Sequence, residues 1–264
     1  MMKTDFDYTH ADIVSALKKV GIKKGDIVFS HVGIGFLGFP KEGGQKEAVQ
    51  SIIKAFKEVL GPTGTFLVPT YTYSFCNGED YDARSSPSTV GYFTEVFRKQ
   101  RGVTRSREPN FSVAGIGPKV KTLFKNLPMD SFGPDCLYDR LTKMNATICN
   151  IGVGFRYATY VHYTEQSASV PYRFMKVFKG NIIERGGKTP QEISYYVRTT
   201  VDNEDSMPDL SRLENDARRA GALHEAPLGR SVVSHISCRD FYDSATRGIR
   251  NNPWYLAEGF TKHR

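Results

Sequence analysis

The chain has 264 residues, of which 39% are hydrophobic and 24% charged, with a mean hydropathy of -0.40. This excludes wholesale disorder, and apolar stretches such as Ile148 to Val153 fall far short of the roughly 18 residues a membrane-spanning helix needs. Thirty-six Lys and Arg against 28 Asp and Glu give a formal charge of +8, which favours anionic partners; the basic residues are scattered, with no arginine-rich arm or aromatic RNA-binding signature, so nucleic acid is not expected.

Ala11 to Val20 reads as a helix with Ile13, Val14 and Leu17 on one face. Asp26 to Val32 reads as a buried strand, and Gly33 to Gly44 as a glycine-rich loop. Gln45 to Leu60 is the clearest helix, followed by a turn at Gly61 to Gly64 and a strand at Thr65 to Pro69. Thr72 to Pro87 reads as a long ordered loop, and Thr89 to Gln100 as a helix capped by Ser88 or Thr89. Strands follow at 111–117 and 146–152, with helices at 120–125 and 160–169. The last third carries strands at 174–178, 181–184 and 193–201 and helices at 210–220 and 239–250. The reading is one α/β layered domain over residues 1–264, with a loosely distinct C-terminal part from about 171.

Cys76, Cys136, Cys149 and Cys238 form no CxxC pair and no metal-ligand spacing. Met1 to Asp7 has no apolar core of a secretory signal. Reduced thiols in a cytoplasmic protein, without metal and without a membrane, are the expectation.

Four segments carry candidate chemistry. His162 and Glu165, three apart at the start of a helix, share a face, so the carboxylate can orient the imidazole as a general base; the plainer reading is a helix capped by Thr159 with His162 half-buried. Ser88, Thr89, Val90 and Gly91 open a helix whose free N–H groups make a phosphate seat, or else an ordinary cap. Arg105-Ser106-Arg107 follows, whose two arginines beside that seat can pair with a nucleotide phosphate or form a solvated basic turn. His31, Val32 and Gly33 end a strand, where ligands gather in open α/β sheets. Gly33, Gly35 and Gly38 imitate a dinucleotide fingerprint, but Phe39-Pro40-Lys41 opens no helix after them.

Taken together, His31 after a strand, Gly61-Pro62-x-Gly64-Thr65-x-x-Val68-Pro69-Thr70, Pro87-Ser88-Thr89-Val90-Gly91-x-x-x-Glu95-x-x-Arg98, Arg105-Ser106-x-x-Pro109-x-x-Ser112, Phe132-Gly133-Pro134 and Gly152-x-Gly154 leading to Thr159-x-x-His162-x-x-Glu165 resemble the aminoglycoside 3-N-acetyltransferase family over about residues 10 to 185. The resemblance implies a three-layer α/β/α sandwich with a central mixed sheet, and direct transfer of acetyl from acetyl-CoA to an amine of an amino sugar. It matches His162 to the general base and Glu165 to its carboxylate. It matches His31, Val32, Gly33, Ser88, Thr89, Val90, Gly91, Arg105, Ser106 and Ser112 to the CoA-lining segments; a homodimer is compatible with it. One departure is Glu108-Pro109, where many antibiotic-modifying members have His-Pro. Arg173, Lys176 and Lys179 near the expected acceptor cleft suit an anionic or neutral acceptor, such as a nucleotide-linked amino sugar of surface polysaccharide, better than a polycationic antibiotic. The alternatives are a non-catalytic CoA- or nucleotide-binding module and an O-acyltransferase using another acyl-CoA. A covalent route through Cys76, Cys136 or Cys149 is disfavoured, because the family transfers directly.

Overall fold

A computed structural model describes residues 6–41, 43–199 and 205–264. Residues 1–5 and the end of the expected strand at 193–201 lie outside the described residues. Helix α1 (His10–Lys19) opens with a capping box between Thr9 and Asp12 and leads into strand β1 (Ile27–Phe29). Helix α2 (Gln45–Leu60), the most regular apolar pattern in the chain, ends at Gly61 and returns to β2 (Thr65–Pro69). Then come α3 (Tyr92–Arg98), β3 (Thr104–Arg105), β4 (Val113–Ile116), α4 (Val120–Phe124), α5 (Leu137–Lys143) and β5 (Thr147–Ile151). The remainder is α6 (Val161–Ser167), the long hairpin β6 (Arg173–Glu184) and β7 (Gly187–Arg198), α7 (Ser211–Arg219), β8 (His224–Leu228), β9 (Ser231–Ser237) and α8 (Cys238–Asn251).

Seven strands form one mixed sheet in the order β3-β4-β2-β1-β5-β9-β8. The middle three, β2, β1 and β5, run parallel, and the outer strands join antiparallel. Successive side chains of a strand point to opposite faces. Val28, Phe66, Val68 and Cys149 therefore pack against α1, α2 and α3 on one side, and Ile27, Phe29, Leu67 and Ile148 against α5, α6 and α8 on the other. Two apolar cores on the two faces of one sheet make the three layers that the resemblance implied.

The structure departs from the sequence reading in several places. Strands β3, β8 and β9 and helix α5 carry no clear sequence pattern: β3 has two residues, β8 contains Pro227, and α5 spans two turns. The strands expected at 174–178 and 181–184 are one continuous strand; Gly180 interrupts the pattern because the Phe75 ring packs where its Cβ would stand, 2.5 Å away. Helix α3 begins at Tyr92, behind Gly91 at φ +116°, so neither Ser88 nor Thr89 caps it. Ser88 Oγ instead lies 2.7 Å from Thr94 Oγ1, and Ser88 N donates to Glu95 Oε2 at 2.8 Å. Thr159 does not cap α6 either; Tyr160 holds that position without a side-chain bond.

Candidate active site

The carboxyl ends of β1, β2 and β5 open on the same edge of the sheet, with β1 flanked by the other two. This reversal of strand order is where open α/β sheets leave a crevice. A cavity of about 540 Å³ lies there. His31, Val32, Gly33 and Gly35 line it from the segment after β1, Tyr71 from the end of β2, and Val90 and Gly91 from the approach to α3. Thr159 closes it from the approach to α6, and the exposed rings of Phe36, Tyr92 and Tyr157 stand at its mouth. Glycine at 33 is a packing requirement, since a Cβ would lie 2.4 Å from the Val153 side chain.

His31 is fully engaged. Its Nδ1 is 3.2 Å from Asn150 Oδ1 and its Nε2 3.0 Å from Thr159 Oγ1. Asn150 spends its amide N–H on Gly154 O, so its carbonyl faces the ring; Nδ1 carries the proton and Nε2 accepts from the Thr159 hydroxyl. Burial pushes the His31 imidazole down to about 4, against a smaller opposing pull from Asn150. A neutral ring with both nitrogens bonded is a brace for Thr159, not a base.

His162 stands one turn beyond Thr159, whose carbonyl accepts from His162 N at 3.1 Å. Helix α6 forms because Val161, Tyr163 and Thr164 bury on its core side, and that face also carries Glu165, with no exposed surface. His162 Nδ1 is 2.8 Å from Glu165 Oε2. A carboxylate only accepts, so Nδ1 holds the proton and Nε2 keeps its lone pair. Nε2 has no protein partner among the described residues, and the side chain is 24% exposed. The Phe132 ring meets the imidazole edge-on, 5.4 Å between centroids.

The same oxygen of Glu165 also meets a guanidinium. The Arg173 side chain is 6% exposed; its Nε lies 2.8 Å from Oε2 as a charge contact without hydrogen-bond alignment, while its Nη1 donates to Tyr196 O at 3.3 Å. Burial alone would raise the Glu165 carboxyl, but Arg173 and His162 together outweigh it and hold it below its ordinary value. Burial, with Arg173 adding to it, lowers the His162 imidazole; the Glu165 bond opposes this and does not reverse it. His162 is therefore a neutral imidazole at pH 7, the form a general base needs.

The expected CoA-lining residues divide. His31, Val32, Gly33, Val90 and Gly91 line the cavity; Ser88, Thr89, Arg105, Ser106 and Ser112 do not. Arg105 donates to Thr70 O, Ser86 O, Thr70 Oγ1 and Ser112 Oγ, which ties loops together behind the cavity. Ser106 Oγ accepts from Val113 N, and Ser112 Oγ donates to Thr70 O. The cations expected near the acceptor also divide: Arg173 is consumed by Glu165, Lys179 pairs with Glu192, and Lys176 rests over the Phe178 ring. The sequence suggests Arg173 as a cleft charge; in the fold it is the buried residue at the start of β6, and no local sequence signal marks it as the partner of Glu165. All four thiols are free, and burial raises each, Cys136 to about 12, so none is a thiolate at neutral pH. No helix among the described residues is long and apolar enough to cross a membrane.

The three-layer sheet has a crevice at its strand ends and a carboxylate-held imidazole one turn away. A family model for aminoglycoside 3-N-acetyltransferases matches residues 31–250, and the chain belongs to that family of acyltransferases. Aminoglycoside N(3)-acetyltransferase IV of Salmonella sp is 24% identical over 94% of this chain and 90% of its own length. Among solved structures, AAC-VIa bound to sisomicin superposes with a TM-score of 0.80 at 22% identity, covering 92% of this chain and 98% of that one. AAC-IIIb in binary complex with CoASH superposes at 0.78 and 17% identity, covering 95% and 98%. At these identities the superpositions establish the fold.

Proposed function

We propose that the protein transfers an acetyl group from acetyl-CoA to an amine of an aminoglycoside-type amino sugar, with His162 as general base and Glu165 and Arg173 as its support. The observation that carries this is the unpartnered, neutral Nε2 of His162, held by a buried carboxylate one turn from the cavity. The cavity between His31, Gly33 and Gly91 would take the thioester arm of CoA, with Thr159 at the end nearest the base. Nε2 accepts a proton from the acceptor amine as its nitrogen bonds to the thioester carbonyl carbon. The carbon–sulfur bond then breaks, and the imidazolium returns the proton to the departing thiolate. The names of the relatives and the bound aminoglycoside of a structural neighbour support the acceptor class.

A second reading of the acceptor has its own support. The expectation of a nucleotide-linked amino sugar rested on three cations, of which Arg173 is internal. Of the carboxylates near the base, Glu165 is compensated by Arg173, and Asp130 has both oxygens engaged by the uncharged Gln166 Nε2. A polycation needs free carboxylates, so an acceptor with few amines fits this wall better. Mass spectrometry of products from sisomicin, gentamicin, free glucosamine and nucleotide-linked amino sugars, each with acetyl-CoA and longer acyl-CoA donors, decides. Acetylated sisomicin or gentamicin supports the first reading, and selective acetylation of a mono-amino sugar the second. CoA binding with no acylated product of any kind, or acylation at hydroxyls alone, refutes both.

A further inference from the structure

Glu108 is 9% exposed and belongs to no step of the transfer described above. Its Oε2 accepts from the backbone N–H of Asn110, at 2.9 Å, and of Phe111. Its Oε1 is 2.8 Å from the Ser131 hydroxyl. One carboxyl thus joins the segment carrying Phe111 to the segment carrying Phe132, and Ser131 N donates onward to Ser194 O of β7. Phe111 and Phe132 touch each other, 4.9 Å between centroids, and Tyr195 meets Phe111 at the same spacing. Phe132 is also the ring against His162. These rings form the wall beside the base.

The groups facing Glu108 are Tyr71, Tyr73 and Cys76 on the segment after β2, Tyr81 further along it, Tyr138 on α5 and Tyr195 on β7. Each is pushed to higher values by burial, so each is neutral at pH 7. No cation among the described residues pairs with Glu108. The ionised carboxyl would accept all three bonds but lies buried without a counter-ion, which is costly; the neutral carboxyl keeps both backbone bonds on Oε2 and can donate from Oε1 to the Ser131 hydroxyl.

We propose that Glu108 is a positioning residue: its uncharged carboxyl pins the Phe111–Phe132 wall beside His162, and ionisation loosens that pin. Burial agrees, raising the group to about 7 against the opposing bonds from Ser131, Phe111 and Asn110. The role deepens the proposed function, because the wall matters to acceptor binding only if His162 is the base.

The test has two arms. Amide hydrogen exchange at Asn110 and Phe111, corrected for intrinsic rates, reads the pin without any substrate. Protection should fall about ten-fold or more in the native protein between pH 5 and 7.5, and stay flat in Glu108→Gln, which cannot ionise. In the second arm, Glu108→Ala should raise the KM for sisomicin about five-fold while acetyl-CoA binding is unchanged, and Glu108→Gln should restore the KM. Flat protection in the native protein, or equal KM in Glu108→Ala, overturns the assignment. If the native protein fails to acetylate sisomicin, the acceptor assignment falls instead, and the exchange arm still decides the pin.

Discussion

Replacing Arg173 with Met tests what keeps the imidazole neutral. Arg173 Nε and His162 Nδ1 each lie 2.8 Å from Glu165 Oε2, so at most twice that distance separates them. At an effective dielectric of about 20, two positive charges about 5.6 Å apart repel by about 3 kcal/mol, worth about two pK units. The sign follows directly. Removing the guanidinium takes away the charge that opposes an imidazolium, so the His–Glu pair binds its proton at higher pH. The acid limb of kcat/KM should move up by one to two units on this arithmetic, with activity recovered on its alkaline side. Arg173→Lys retains the charge and should keep most of the native profile. Initial rates of thiol release from acetyl-CoA across pH 5.5 to 9.5 make the measurement. An unshifted acid limb in Arg173→Met, with turnover lowered equally at every pH, would refute the reasoning and reduce Arg173 to a packing residue.

Other outcomes follow from the same geometry. Glu108 in the folded state titrates at about 7, above its ordinary 4.5, so its contribution to stability is fully present below about pH 4.5 and is lost as pH rises through 7. That difference corresponds to about 3 kcal/mol, so denaturant titrations from pH 4.5 to 8 should show the native protein losing roughly that much more than Glu108→Gln; parallel curves would contradict it. Joint replacement of Cys76, Cys136 and Cys149 by Ala should leave transfer in place, with lower stability because Cys136 and Cys149 are buried; loss of transfer in a folded triple variant would revive a covalent acyl-enzyme. Gly152→Ala should destabilise by about 2 kcal/mol or more, because the residue sits at φ +73° with a Cβ 2.4 Å from Gly33 O; an unchanged melting temperature would contradict the close approach.

The legible parts of this chain were those with strong local periodicity. Helix α2 follows directly from apolar residues at helical spacing, and β1, β2 and β5 from apolar runs closed by glycine turns. The His162–Glu165 pair was legible because three-residue spacing on a helix forces proximity. What spacing cannot supply is the third member, Arg173, which arrives from the start of a hairpin strand and is defined only by tertiary packing. The same holds for Arg105, Ser106 and Ser112. The resemblance matches them to CoA-lining segments, but in the fold they bond to Thr70, Ser86 and Val113 and do not line the cavity. Strand β8 escaped because Pro227 argues against a strand, and only its place at the sheet edge makes that proline tolerable. Glu108 was visible only as a departure from the family pattern; its burial and its three bonds are facts of the fold.

The most direct test of the account is the rate of acetyl transfer by His162→Ala, measured at saturating acetyl-CoA with the best acceptor of the panel, alongside calorimetric binding of CoA. General-base assistance contributes roughly 100- to 10,000-fold, so kcat should drop by that range while CoA binds as in the native protein. A variant that turns over at the native rate would show that the imidazole on α6 removes no proton, and the mechanism built on it would fall.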